Sequence, residues 1–195
     1  ISAAGLRLSA SAVEQGIFHI VASPAQLPTP PASPFVVEGQ PWTKAHITRS
    51  ETGDAAIKTP AATLHISPTG EFAIQMNGGA AILRSGRISA TADSMTVALA
   101  HGSGQRLYGA GNQDMNVSGD LTHPSGTQVT KNGATRIPFL WSTGGYGALI
   151  ANNELGTSWS DTADTLAWQV PGQYVDLYLM VAPNGGYGLL EAYSR

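Results

Sequence analysis

Residues 63–83 read Thr-Leu-His-Ile-Ser-Pro-Thr-Gly-Glu-Phe-Ala-Ile-Gln-Met-Asn-Gly-Gly-Ala-Ala-Ile-Leu, two alternating runs punctuated by two turns. Leu64 and Ile66 alternate with Thr63, His65 and Ser67, and Pro68-Thr69-Gly70 supplies turn chemistry. Phe72, Ile74 and Met76 then alternate with Glu71, Ala73 and Gln75, before Asn77-Gly78-Gly79 turns the chain again into Ala81-Ile82-Leu83. A period of two sends successive side chains to opposite faces, so the stretch predicts a strand–turn–strand–turn–strand meander. The same period recurs on both sides of it. Leu6, Leu8 and Ala10 form one set, and Met95, Val97 and Leu99 another. Leu166, Trp168 and Val170 form a third, and Val175, Leu177, Leu179 and Val181 a fourth. Between Ile17 and Ala22 both alternating sets are mostly apolar, as expected of a strand covered on both faces. Pro28, Pro30, Pro31 and Pro34 donate no ladder hydrogen bonds, so that stretch reads as an extended loop or a sheet edge. Eight or more short strands with tight connections predict an all-β chain, built as a two-sheet antiparallel β-sandwich.

Composition agrees with this reading. Of 195 residues, 12% are charged, about half the ~25% usual in soluble domains, while 23 are Gly and 12 are Pro. The net charge of −3 gives the whole chain no attraction for phosphate backbones, so nucleic acid is not an expected partner. Apolar runs such as Ile17–Ala22 fall far short of the ~20 residues that cross a bilayer, so no membrane contact is expected. The chain has no Cys, which excludes disulfides, thiolate metal sites and a Cys nucleophile. It starts at Ile1 without a signal-peptide pattern, which suggests that something upstream was removed or left out. The low charge and the Gly/Pro content lean towards a secreted or periplasmic protein. At the other end, Asn184-Gly185-Gly186 forms a turn, and Gly188 to Tyr193 has helix formers for about two turns. The expectation is one domain over residues 1–195, with 183–195 starting a link to a further domain.

From Arg106 onward the chain becomes polar and turn-rich. Residues 112–135 predict a loop too long to be ordinary, either a ligand-contacting loop or a mobile surface insertion. Gly109-Ala110-Gly111 is not a dinucleotide fingerprint, because Asp114 stands where the third glycine belongs and no helix follows. Among the five histidines, His19 and His65 read as ordinary strand residues, and only His123 in the loop reads as a ligand contact. None has the spacing of a zinc ligand, and neither Ser142 nor Ser158 has the context of a hydrolase nucleophile, so no metal and no cofactor are expected. Sugar binding requires amides and carboxylates for hydroxyls and an aromatic face for the ring. Asn112, Asp114, Asp120, Asn132, Trp141 and Trp159 would suffice, although core packing is the competing reading for both tryptophans.

Three motifs in order carry a family resemblance. Leu107-Tyr108-Gly109-Ala110-Gly111-Asn112-Gln113 resembles the Y-G-L-G-E/Q segment in the N-terminal domain of glycoside hydrolase family 31, with Ala110 for Leu and Asn112 for Glu or Gln. Asn132 through Asn152 is similar to the family's N-x5-P-F-x-x-S-x-x-G-Y-G-x-x-x-x-N stretch. Tyr174–Met180 with Leu190–Arg195 resembles the strand and short helix that lead into its catalytic barrel. The resemblance implies a galactose-mutarotase-like supersandwich fused to a (β/α)8 barrel. The family's two catalytic aspartates lie on that barrel, which needs about 250 residues, so this chain would hold no catalytic residue. It would instead lend a loop to the pocket of a retaining exo-α-glycosidase of α-xylosidase or α-glucosidase type. Asn112, Asp114, Asp120, His123 and Asn132 are then the substrate contacts, and the fused barrel and a carbohydrate are the partners. A stand-alone carbohydrate-binding module is the alternative.

Overall fold

A computed structural model describes residues 2–3, 5–27, 42, 44–109, 125–127, 129–131, 134–152, 156–162, 164–182 and 185–194. The first strands are β1 (Ser2–Ala3), β2 (Leu6–Glu14), β3 (Ile17–Pro24), β4 (His46–Arg49), β5 (Ala55–Lys58) and β6 (Ala62–Ile66). There follow β7 (Glu71–Met76), β8 (Ala81–Ala90), β9 (Ser94–Ala100), β10 (Leu107–Gly109), β11 (Ser125–Thr127) and β12 (Val129–Lys131). The last are β13 (Ala134–Arg136), β14 (Phe139–Ser142), β15 (Tyr146–Ile150), β16 (Ser158–Asp161), β17 (Thr165–Pro171) and β18 (Val175–Val181), before helix α1 (Gly186–Tyr193).

The predicted meander is β6-β7-β8. Leu64 pairs with Ile74 and Ile66 with Phe72. Each turn is closed by the expected glycine, Gly70 N–H donating to the Ser67 carbonyl and Gly79 N–H to that of Met76. This meander is part of a nine-stranded sheet in the order β11-β16-β17-β9-β8-β7-β6-β5-β4. A seven-stranded sheet, β1-β2-β3-β18-β15-β14-β10, faces it, and β12 pairs with β13 alone. The two large sheets form an antiparallel β-sandwich. Their apolar faces meet in one core that includes Phe18, Ile20, Leu64, Ile74, Val97 and Trp168, each essentially inaccessible to solvent. Each such side chain contributes roughly 1.5–3 kcal/mol by leaving water.

A second, smaller core lies on the outer face of the seven-stranded sheet. There Leu189 of α1 joins Ile17, Phe139, Tyr178 and Met180. This explains why all seven residues of β18 are buried, although only alternate ones face the main core. The helix begins two residues earlier than the sequence suggests, at Gly186 after the positive-φ Gly185. The polar stretch 112–135 is also not loop throughout, because β11, β12 and part of β13 lie within it. These three-residue strands carry no apolar period to betray them; backbone pairing to β16, and of β12 with β13, makes them. Among the described residues no helix is long and apolar enough to cross a membrane.

Candidate functional site

The segment singled out by sequence starts and ends on sheet edges. β10 is the last strand of the seven-stranded sheet, and β11 is the first of the nine-stranded one. The chain therefore leaves one sheet at Gly109 and joins the other at Ser125. Gly109 pairs with Leu140 and has φ 121°, and a Cβ there would come within 2.5 Å of the Phe139 carbonyl oxygen. Only glycine tolerates that combination, so the second position of the Tyr-Gly-Ala-Gly run is set by backbone approach. β11 is held by Ser125 opposite Ser160 and Gly126 opposite Trp159. β12 and β13 then return the chain to β14. The five expected substrate contacts, Asn112, Asp114, Asp120, His123 and Asn132, lie outside the described residues.

The tryptophans divide. Trp159 is buried in the main core, which rules it out as a sugar platform. Its position opposite Trp168 on β17 puts both indoles between the sheets. Trp141 is half-buried on the outer face, stacked on Tyr108 with ring centroids 4.7 Å apart. It also packs against the smaller core that includes Leu189 of α1.

The long motif is a folding device. Ser142 Oγ donates to Gln105 Oε1 at 3.0 Å and accepts the Gly144 N–H at 3.0 Å, holding the β14–β15 turn. Asn152 accepts the Asp176 N–H through Oδ1 and donates through Nδ2 to the Tyr174 carbonyl, both at 2.9 Å. It thus ties the end of β15 to the start of β18. Tyr146 is buried at the head of β15, and its hydroxyl has no well-formed hydrogen bond. Burial raises its phenol well above the ordinary range; the Ser142 hydroxyl offsets part of this, and the Asp161 charge adds to it.

Two His–Asp pairs escaped the sequence reading. His101 Nε2 lies 2.7 Å from Asp161 Oδ1, with side chains 2% and 0% exposed. His19 Nε2 lies 2.7 Å from Asp176 Oδ1, and its ring stacks on Tyr178 at 4.2 Å. The partners are 60 and 157 residues apart, and no local spacing connects them. Such pairs can orient an imidazole for proton transfer, but His101 has almost no solvent access. His65 is an exposed strand residue on β6, as expected. Among the described residues no cluster of three or more His, Asp or Glu could hold a metal.

No protein-family model and no curated protein matches this chain. Solved structures do. An α-xylosidase of glycoside hydrolase family 31 from a soil metagenome superimposes on 94% of the chain with a TM-score of 0.78 and 14% identity. A Flavobacterium johnsoniae dextranase of that family covers 93%, with a TM-score of 0.75 and 13% identity. The chain has a fold found within glycoside hydrolase family 31 enzymes. A Xanthomonas citri α-xylosidase of family 31 is 22% identical over 81% of the chain, with a TM-score of 0.62. The chain spans less than a third of each of these structures: 31%, 24% and 18% of their lengths.

Proposed function

We propose that this chain is the accessory N-terminal domain of a retaining exo-acting α-glycosidase, fused to a (β/α)8 barrel that carries both catalytic carboxylates. The observation that carries the proposal is the agreement over 94% of this chain with under a third of a family 31 α-xylosidase. In the complete enzyme one barrel carboxylate attacks the anomeric carbon, while the other protonates the leaving oxygen and then activates water. This domain does none of that chemistry. Its contribution is positional: residues 112–132, within the stretch that leaves β10 and returns to β14, reach the barrel mouth and hold the terminal sugar. Asn112, Asp114, Asp120, His123 and Asn132 supply hydrogen bonds to sugar hydroxyls. Holding a reactant in register lowers the barrier without a reacting group. The links from residue 183 onward belong to the junction with the barrel.

The test is kinetic, on the complete gene product with an aryl α-xyloside and an aryl α-glucoside. Asp120→Ala or His123→Ala should raise KM or lower kcat by about tenfold or more, as loss of positioning does. Wild-type constants from both variants would remove the segment from the pocket.

A further inference from the structure

β10 is three residues long, lies at the edge of the seven-stranded sheet and pairs with β14 alone. Alternation leaves it one side chain per face. Leu107 enters the main core, Tyr108 stands on the outer face, and Gly109 has no side chain to anchor. The start of the strand is fixed by Ser142 Oγ on Gln105 and by a reciprocal pair of bonds between Arg106 and Thr143. The Thr143 hydroxyl accepts the Arg106 N–H at 3.0 Å, and the Thr143 N–H donates to the Arg106 carbonyl at 2.9 Å. Beyond that start, the outer hold on β10 is the indole of Trp141. It lies directly opposite Tyr108 in register and stacks on its ring, with 24° between the planes.

The indole is itself held by the helix. A Cβ built on Gly186, the first residue of α1, would come within 2.7 Å of its Cη2 and 2.9 Å of its Cζ3. Carbon atoms do not approach so closely without displacement. The φ of Gly186 lies outside the left-handed region, so the backbone does not require glycine there; the indole does. Trp141 also packs against the smaller core that contains Leu189. One side chain therefore joins the helix after the last strand to the strand from which the polar stretch departs. We propose that Trp141 is a positioning residue for the terminal sugar. Wedged between Gly186 and Tyr108, it sets the direction in which the chain leaves β10, and so the placement of the substrate contacts that follow. This rests on the function proposed above and adds the residue that aims those contacts. One face of the indole is occupied by Tyr108 and its far rim by Gly186, so it acts through β10 and not on the sugar.

The test is a double-mutant cycle on the complete gene product, with the same aryl α-glycosides, in variants that keep the parent's circular dichroism. Trp141→Ala should lower kcat/KM by about tenfold or more. Trp141→Phe, which keeps a ring on Tyr108, should recover most of that loss. Gly186→Ala, which crowds the indole instead of deleting it, should lower kcat/KM in the same direction. The distinguishing readout is coupling. A residue that acts through the segment loses effect once a segment contact is gone. The loss from Trp141→Ala should therefore be smaller by about threefold or more in an Asp120→Ala or His123→Ala background. A merely structural side chain would multiply with those substitutions instead. With either segment variant impaired, multiplicative effects would overturn the positioning role and leave the function standing. Parental constants in both Trp141→Ala and Gly186→Ala would do the same. Parental constants in both segment variants would overturn the role and the function together. If Trp141→Ala does not fold, Gly186→Ala carries the cycle.

Discussion

At the scale of single residues, Tyr146 is the position whose environment has the clearest consequence. Its phenol lies under the core with its proton held by burial. A raised folded-state value means that the folded chain keeps a proton which the unfolded chain gives up above about pH 10. Stability from this group is therefore constant below that pH and falls as pH rises through and beyond it. The slope approaches about 1.4 kcal/mol per pH unit. Tyr146→Phe removes the titrating group and a buried hydroxyl with no well-formed bond, so it should be neutral or slightly stabilising at pH 7. Chemical denaturation at pH 8 and at pH 10.5 checks this; the difference between variant and parent should move in the variant's favour at the higher pH. An equal gap at both values would show that the buried phenol is not what loses stability in alkali.

At the scale of elements, the β7–β8 pair shows how a strand accommodates an irregular register. Phe72 pairs with Gly86 and Ile74 with Leu83, so two steps on β7 are matched by three on β8. The Phe72 ring lies over Gly86, and a Cβ added there would come within 2.1–2.7 Å of three of its ring carbons. Glycine inside a strand normally costs about 0.5–1 kcal/mol relative to alanine, and here the aromatic cover requires it. Gly86→Ala should therefore destabilise by about 1–3 kcal/mol, despite the better backbone propensity of alanine. At about 2–4 °C per kcal/mol for a chain of this size, calorimetry would resolve the fall in Tm. A higher Tm would show that Phe72 swings aside at no cost. The pair was invisible in sequence, because the alternation of 63–83 names the strands and not the bulge between them.

At the scale of the whole molecule, the proposed division of labour predicts that the 195-residue chain itself does not hydrolyse aryl α-glycosides. A retaining mechanism needs two carboxyl groups about 5–5.5 Å apart. The buried carboxylates described here, Asp161 and Asp176, are each engaged by a histidine. Turnover by the purified chain that co-purifies with its folded fraction would overturn the division. The described residues form a two-sheet core with β10 and β11 on sheet edges, and Tyr187, Leu190 and Tyr193 of α1 are exposed.

Much of this was legible beforehand. Most strand positions, the meander and the two-sheet arrangement follow from a period of two and from turn residues, which are local properties. The motif of residues 132–152 was legible as a resemblance, but its meaning was not. Ser142 and Asn152 close a turn and join two strand ends, roles that appear only when β14, β15 and β18 lie side by side. Trp159 shows the same limit, since alternation cannot say which face of a strand meets the second sheet. The order of strands in each sheet, the two His–Asp pairs, the bulge at Gly86 and the half-covered helix were decided by tertiary structure alone. The physical reason is that β18 finds its neighbours in β3 and β15, one of them more than 150 residues away. Cross-strand contacts are set by how whole sheets assemble, and no window of sequence contains that information.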